Sequence, residues 1–314
     1  MSKLNIALDA SQLHEYMMCP LKWFYRYYCN LELPQVTSKR EAPDMGTLMH
    51  AILDSYYNLR LFDPSGNKMV QANACVEFFK ASKITAKLFP NEVDDMEDFI
   101  ARRFGLYVQN YIFNDLDVIP GGVELGFSKL LYEDAKVRFI VEGRIDLMNR
   151  LWMGNIFKRC FTDHKTSGLI TDLYPYKIQF KTYAWATGAE YGMINYIGMQ
   201  EDKTNKLLKE KKLFRRTLIN FKKEMIEEWE QTMMEKFEQI YHILRKEMTI
   251  EKGFYLLRNE AECSGAYDSH PCQFCAICEE YNWDNKAMVK ASSYKKVAPW
   301  SPWNPKINGL TKAQ

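Results

Sequence analysis

Hydrophobic positions first recur at helical spacing, then alternate, then return to helical spacing. Ser11 is a suitable N-cap for a helix carrying "QLHEYMMCPLKWFYRYYCN", which Pro20 should kink or restart just after Cys19. A second helix holds "GTLMHAILDSYYNL", and residues 61 to 120 read as further helices with turns near "DPSGN" and "FPNE". The period then drops to two. "VELGFSKLLYE", "VRFIVEGRIDLMNR" and "NIFKRCFTDHKT" are strand-like runs separated by turn signals. "LYPYKIQFKTYAWATGAE" returns to helical spacing, and "YGMINYIGM" and "KLFRRTLINF" are again strand-like. From Asn220 to Met248 a long amphipathic helix gathers Phe221, Met225, Trp229, Phe237, Ile240 and Leu244 on one side. The stretch after Trp283 reads as a loosely structured tail.

This order predicts one α/β domain over 1–314: a helical part to about 120, a sheet-bearing core over 121–220, a long helix with a cysteine-rich segment over 221–283, and a tail over 284–314. With 314 residues, 47% of them hydrophobic and 26% charged, the chain has the composition of a folded globular protein. No apolar run approaches the roughly 20 residues that span a bilayer. The opening "MSKLNIALDASQ" lacks an apolar export core and cleavage site, so the expected location is cytoplasmic, away from membranes. The net charge of +2 neither suggests nor excludes a nucleic-acid partner.

Candidate chemistry begins with "FTDHKTSG". On a strand, Asp163 and Lys165 share one face and His164 takes the other. Upstream, "EGRID" puts Asp146 late in the preceding strand, from which a short turn brings it beside Asp163. Two neighbouring carboxylates repel unless a divalent cation lies between them, and oxygen ligands suit Mg²⁺ or Mn²⁺. Lys165 supplies a point charge for a developing oxyanion. Two helical pairs add to this: Gly46 with His50, and Gln179 with Tyr183, each four residues apart on one face.

The ordered set G-x-x-x-H, G-x-I-D, D-x-K-T, Q-x-x-x-Y resembles the PD-(D/E)XK nuclease superfamily. The likeness is to its RecB-like branch, with the CRISPR-associated iron–sulfur exonucleases and the nuclease domain of AddB-type helicase–nucleases. The opening "SQLHEYMMCPLKWFYRYY" shares that likeness. The resemblance implies a restriction-endonuclease-like core, a small mixed sheet flanked by helices, with N- and C-terminal helical additions joined by an iron–sulfur cluster. It makes Asp146, Asp163 and Lys165 the catalytic residues. His50, Asp146, Asp163 and the backbone carbonyl of His164 become metal ligands, with Glu124 of "VELGF" a further candidate. Gln179 and Tyr183 would contact DNA or support the site. The second acid is Asp163 where many members carry glutamate. The implied activity is a Mg²⁺- or Mn²⁺-dependent DNA exonuclease of recombination, repair or end processing, acting on single strands or duplex ends. It would work with one or two cations and, in some settings, a helicase or recombination partner. The alternative is a non-catalytic DNA-binding or assembly subunit that keeps the fold and cluster. Basic "KLLKEKKLFRR" would line a DNA path or form a solvated face, and the aromatics of "LKWFYRYY" would stack on bases or pack in the core.

Of eight cysteines, Cys29, Cys75 and Cys160 sit among apolar residues and read as small core groups. Cys263, Cys272, Cys275 and Cys278 form C-x8-C-x2-C-x2-C, which suits a 4Fe–4S centre or a structural zinc. The resemblance favours 4Fe–4S, with Cys19 as the first ligand. The branch's C-x2-C-x5-C spacing finds Ser269 where its first cysteine should stand. Two ligand sets follow: Cys19, Cys263, Cys272 and Cys278, which is preferred, or one in which Cys275 replaces Cys263. Either closes a loop over most of the chain, worth on the order of 5 kcal/mol of chain entropy.

Overall fold

The computed structural model describes residues 3–33, 41–168, 177–209, 212–245, 254–255, 257–263, 272–280, 282–299 and 301–303. Ser269, residues 210–211 of the basic run, the predicted helix end at 246–248 and the tail beyond 303 lie outside them. The chain forms a mixed α/β fold that divides into two compact units of interleaved segments. One holds Met1–Ser38, Ser128–Gly143 and Glu227–Pro302; the other holds Lys39–Phe127, Arg144–Ile226 and Trp303–Gln314.

In the first unit, strand β1 (Leu4–Asp9) pairs in parallel with the opening of β4 (Val137–Met153), from Leu4 opposite Val137 to Asp9 opposite Glu142. Sequence reading placed no strand here, although Leu4, Ile6 and Leu8 alternate. The helix that follows is capped by Asp9 rather than Ser11: its carboxylate accepts from the backbone N–H of Ser11 and of Gln12, at 2.7 and 2.9 Å. Helix α1 (Ala10–Met18) stops at Cys19, held extended before Pro20. The chain restarts as α2 (Pro20–Trp23) and a π-helical turn, Phe24–Tyr28, so the expected break at Pro20 is real. A short strand β2 (Leu31–Glu32) follows.

The second unit begins with four helices: α3 (Glu41–Phe62), α4 (Lys68–Ala81), α5 (Ile84–Leu88) and α6 (Val93–Tyr111). Strand β3 (Asp117–Glu133) pairs with β4, whose second half runs antiparallel to β5 (Ile156–Ser167). Helix α7 (Ile178–Thr187) ends on Gly188 in the left-handed region at φ 65°. It leads to β6 (Tyr191–Gly198), parallel to β5; after α8 (Lys206–Lys209), β7 (Phe214–Asn220) returns antiparallel to β6. Two apolar layers cover the sheet in this unit. Leu48 and Ile52 of α3, Phe79 of α4, and Ile100 and Phe104 of α6 pack with Leu147, Ile197 and Phe214. Phe180 and Tyr183 of α7 pack with Ile145, Met148, Phe161 and Ile219. Burial of both faces by helices is what a sheet with parallel pairs needs.

Back in the first unit, α9 (Lys223–Arg245) buries Trp229, Met233, Phe237, Ile240 and Ile243, and Phe237 stacks on Phe139 of β4 at 5.0 Å. Its buried stripe includes Ile243 rather than Leu244, and Phe221 precedes the helix. The expected loose tail instead begins with a helix, Trp283–Ser293, followed by β8 (Lys295–Lys296) paired with β2. Asn282 caps that helix by accepting from Asp284 and Asn285, and Lys286 within it is buried.

Candidate active site

The predicted site residues of the second unit converge where β3, β4 and β5 meet α3 and α7. Gly46 lets α3 approach β5 closely: a Cβ there would lie 2.6 Å from Oγ1 of Thr166. One turn later His50 reaches the sheet, with Nδ1 3.7 Å from Oδ2 of Asp146. Glu124 joins them because β3 is distorted: Gly121 (φ 71°) and Glu124 (φ 49°) both occupy the left-handed region. For a glutamate that conformation is strained by about 1–3 kcal/mol and redirects the side chain, as irregular strands near functional sites do. Ligand atoms of His50, Glu124 and Asp146 lie within 4.8 Å of one another. Two donors across one cation at about 2.1 Å each sit about 4 Å apart, so modest contraction gives a bonding set. One imidazole and two carboxylates are a donor set that can hold a divalent cation.

Asp163 and Lys165 stand beside this group, on the face that sequence alternation assigned them. Lys165 Nζ is 2.7 Å from Oδ2 of Asp163, which is almost fully buried, while the lysine stays partly exposed. Gln179 joins the two. Its Oε1 accepts from Lys165 at 3.1 Å, and its Nε2 donates to Asp163 at 3.1 Å and to the Tyr183 hydroxyl at 2.9 Å. Tyr183 in turn donates to the backbone carbonyl of Arg144 at 2.8 Å. Gln179 thus contacts Asp163 and Lys165 directly, and Tyr183 is linked to them through Gln179. The backbone N–H of His164 donates to Oδ2 of Asp146 at 2.8 Å, tying the two carboxylate strands together. The His164 ring lies on the opposite face, as alternation required. There it is buried, steeply inclined to the His50 ring and stacked on the Tyr57 ring, both at 5.8 Å between ring centroids.

Arg144 escaped sequence reading although it stands inside "EGRID". Its Nε is 3.1 Å from Oε2 of Glu124, so it both orients that acid and offers a carbonyl to Tyr183. Asn195, wholly buried on β6, escaped because an asparagine in an apolar strand carries no motif.

The cysteines form a second constellation, within the first unit. Cys19 is buried at the break between α1 and α2, where its sulfur accepts from the backbone N–H of Asn259 at 3.4 Å. Cys272 accepts likewise from Phe274 at 3.5 Å, and its own N–H donates to the carbonyl of Cys263 at 3.3 Å. Burial pushes the Cys272 thiol up to about 12. Burial also raises Cys278, and the neighbouring thiols of Cys263, Cys272 and Cys19 raise it further. Cys275 turns its thiol to the Cys263 carbonyl at 3.2 Å. Buried Lys286 donates to the Ile277 carbonyl at 2.7 Å and acts on Cys278 in the opposite sense, favouring thiolate. Cys75 and Cys160 are the buried core groups expected, whereas Cys29 is only half-buried.

Among the described residues no helix is long and apolar enough to cross a membrane. No curated protein matches the chain. A solved structure described as "Crystal structure of SSO0001" is similar over 74% of this chain and 84% of its own, at 18% identity and a TM-score of 0.31. The sequence profile of the PD-(D/E)XK nuclease superfamily matches residues 7–279, a span holding His50, Glu124, Asp146, Asp163, Lys165, Gln179 and Tyr183. By that match over most of its length, the chain belongs to the PD-(D/E)XK nuclease superfamily.

Proposed function

We propose that the chain is a Mg²⁺- or Mn²⁺-dependent DNA exonuclease whose first unit carries a 4Fe–4S cluster. The observation that carries the nuclease reading is the donor set of His50, Glu124 and Asp146 beside the Asp163–Lys165 pair. His50, Asp146, Asp163 and the His164 carbonyl would hold the cation, with Glu124 completing the set. A bound divalent cation supplies a polarised phosphoryl oxygen and a water acidic enough to attack at neutral pH. The protein supplies orientation and charge. Lys165, partly exposed and aimed by Gln179, presents its ammonium where a scissile phosphate would meet the site. Arg144 holds Glu124, and Tyr183 fixes Gln179, so little reorganisation is needed when substrate arrives. The expected role is recombination, repair or processing of DNA ends.

The cluster reading rests on five cysteines and on backbone N–H groups donated to Cys19 and Cys272, the kind of bond that supports metal-bound thiolates. Cys19, Cys263, Cys272 and Cys278 are the preferred ligands, and Cys275, which acts on both Cys263 and Cys272, is the alternative to Cys263. Lys286 offsets part of the negative charge a thiolate centre accumulates. Zinc on the same thiols is the competing occupant.

The test is to incubate the full chain, purified without oxygen, with end-labelled DNA and Mn²⁺ or Mg²⁺. Stepwise shortening that EDTA stops is expected. Metal-replete protein that binds DNA but leaves every single-stranded and duplex substrate uncut would replace the enzyme reading with the binding-subunit one.

A further inference from the structure

On the sheet face opposite Asp163, a buried hydrogen-bond network ends on His164, and its direction can be derived from donor chemistry. Arg216 can only donate. It gives Nε to Oδ1 of Asn195 at 3.3 Å, one terminal nitrogen to the Tyr107 hydroxyl at 2.8 Å, and the other to the Asn114 carbonyl at 2.6 Å. That fixes the Asn195 amide, whose Nδ2 then donates to Tyr107 at 2.9 Å and faces Nδ1 of His164 at 2.7 Å. Tyr107, having accepted twice, passes its own proton to Tyr57 at 2.7 Å, and Tyr57 donates to Asp115 at 3.3 Å. With an amide N–H pointing at it, His164 Nδ1 accepts, which puts the ring proton on Nε2. Asn195, Tyr107 and Tyr57 are fully buried, so a wrong hydrogen-bond direction anywhere would leave a donor or acceptor unmet.

His164 is also the residue that two candidate metal ligands touch. Its N–H holds Asp146, and its ring packs against that of His50. We propose that Asn195, locked by Arg216 and Tyr107, is a positioning residue for the nuclease centre: by holding the His164 ring it sets the backbone that orients Asp146 and the ring against which His50 packs. The inference rests on the nuclease reading but concerns residues that touch no substrate. Supporting groups of this kind govern metal affinity and turnover more than substrate binding.

The test compares full-length wild type with Asn195→Ala and Tyr107→Phe, using Mn²⁺ affinity by calorimetry, kcat, KM for DNA and melting temperature. Phe79→Leu, a core truncation on α4 of the same unit, sets the scale for lost stability alone. For Asn195→Ala the expected result is a loss of about 10- to 100-fold in Mn²⁺ affinity and kcat, with KM for DNA within about twofold; Tyr107→Phe should follow in the same direction. Phe79→Leu should melt lower yet bind Mn²⁺ normally. Nitrogen-15 NMR of the metal-free wild type should show His164 protonated on Nε2. Variants that bind Mn²⁺ as wild type does, or a spectrum with the proton on Nδ1, overturn the proposal. If Asn195→Ala fails to fold, Tyr107→Phe and the wild-type spectrum decide. Wild type that neither binds Mn²⁺ nor cuts DNA overturns the nuclease reading and this inference together, whereas normal wild-type behaviour with unaffected variants overturns this inference alone.

Discussion

Replacing Gly46 by alanine puts a methyl group between α3 and β5. The new Cβ would sit 2.6 Å from Oγ1 of Thr166, and ordinary contact begins near 3.4 Å, so the helix or the threonine must give by about 0.8 Å. Thr166 is β-branched and stiff at χ1, so much of the movement falls on the helix. Overpacking of this kind costs about 1–3 kcal/mol, while alanine in a helix interior regains about 1 kcal/mol over glycine. The net loss of stability should be about 0–2 kcal/mol. Activity should suffer far more, because His50 lies one turn along the displaced helix, and an error near 1 Å in a reacting group can cost about 100-fold. Urea unfolding measures the first quantity; Mn²⁺-dependent cleavage of end-labelled DNA measures the second. Thr166→Ala removes the clashing oxygen, leaving the threonine Cβ at an easy 3.8 Å, so the double variant Gly46→Ala/Thr166→Ala should recover most activity and be more stable than Thr166→Ala alone. If Thr166→Ala rescues neither property, this contact does not set the approach of α3, and the reasoning fails.

Lys165→Ala and Asp146→Ala should each abolish cleavage while circular dichroism and DNA binding persist; near-normal cutting by either variant would remove that residue from the catalytic set. Cys19→Ala, Cys272→Ala and Cys278→Ala should abolish the brown colour that the proposed cluster would give and lower the melting temperature, whereas Cys275→Ala should be mild; absorption near 400 nm reads the cluster, and a bleached Cys275→Ala with a coloured Cys263→Ala would reverse the ligand choice. In cluster-free protein the Cys272 thiol is neutral up to about 12, whereas an unfolded thiol ionises near the ordinary 9.0. The folded state therefore holds more protons above pH 9, so this contribution to stability is full below pH 9 and is lost as pH rises toward 12. Melting scans from pH 8 to 11 should show a downward slope that Cys272→Ala makes shallower, and an unchanged slope would refute the assignment.

Much of this protein was legible in one dimension. Alternation placed Asp163 and Lys165 together and His164 opposite, because side-chain direction on a strand is fixed by the pleat. The four-residue pairs Gly46/His50 and Gln179/Tyr183 were legible for the same kind of reason on helices. What escaped depended on partners far along the chain. β1 is only six residues long and gains meaning by pairing with β4, more than a hundred positions away. The helix over Trp283–Ser293 has a polar sequence, and its cap at Asn282 and the burial of Lys286 are what distinguish it from a tail. The long-helix stripe was shifted to Ile243 because a periodic pattern leaves the packing face uncertain by one position. Arg144 and Asn195 belong to the site through what they touch across the sheet, and neither residue type announces that by spacing. Local geometry is written in local sequence, since period and capping act over a few residues. The meeting of Glu124, His50 and Asp146, and the buried network behind His164, exist only once distant segments are packed, because each of those bonds joins residues that the chain itself holds apart.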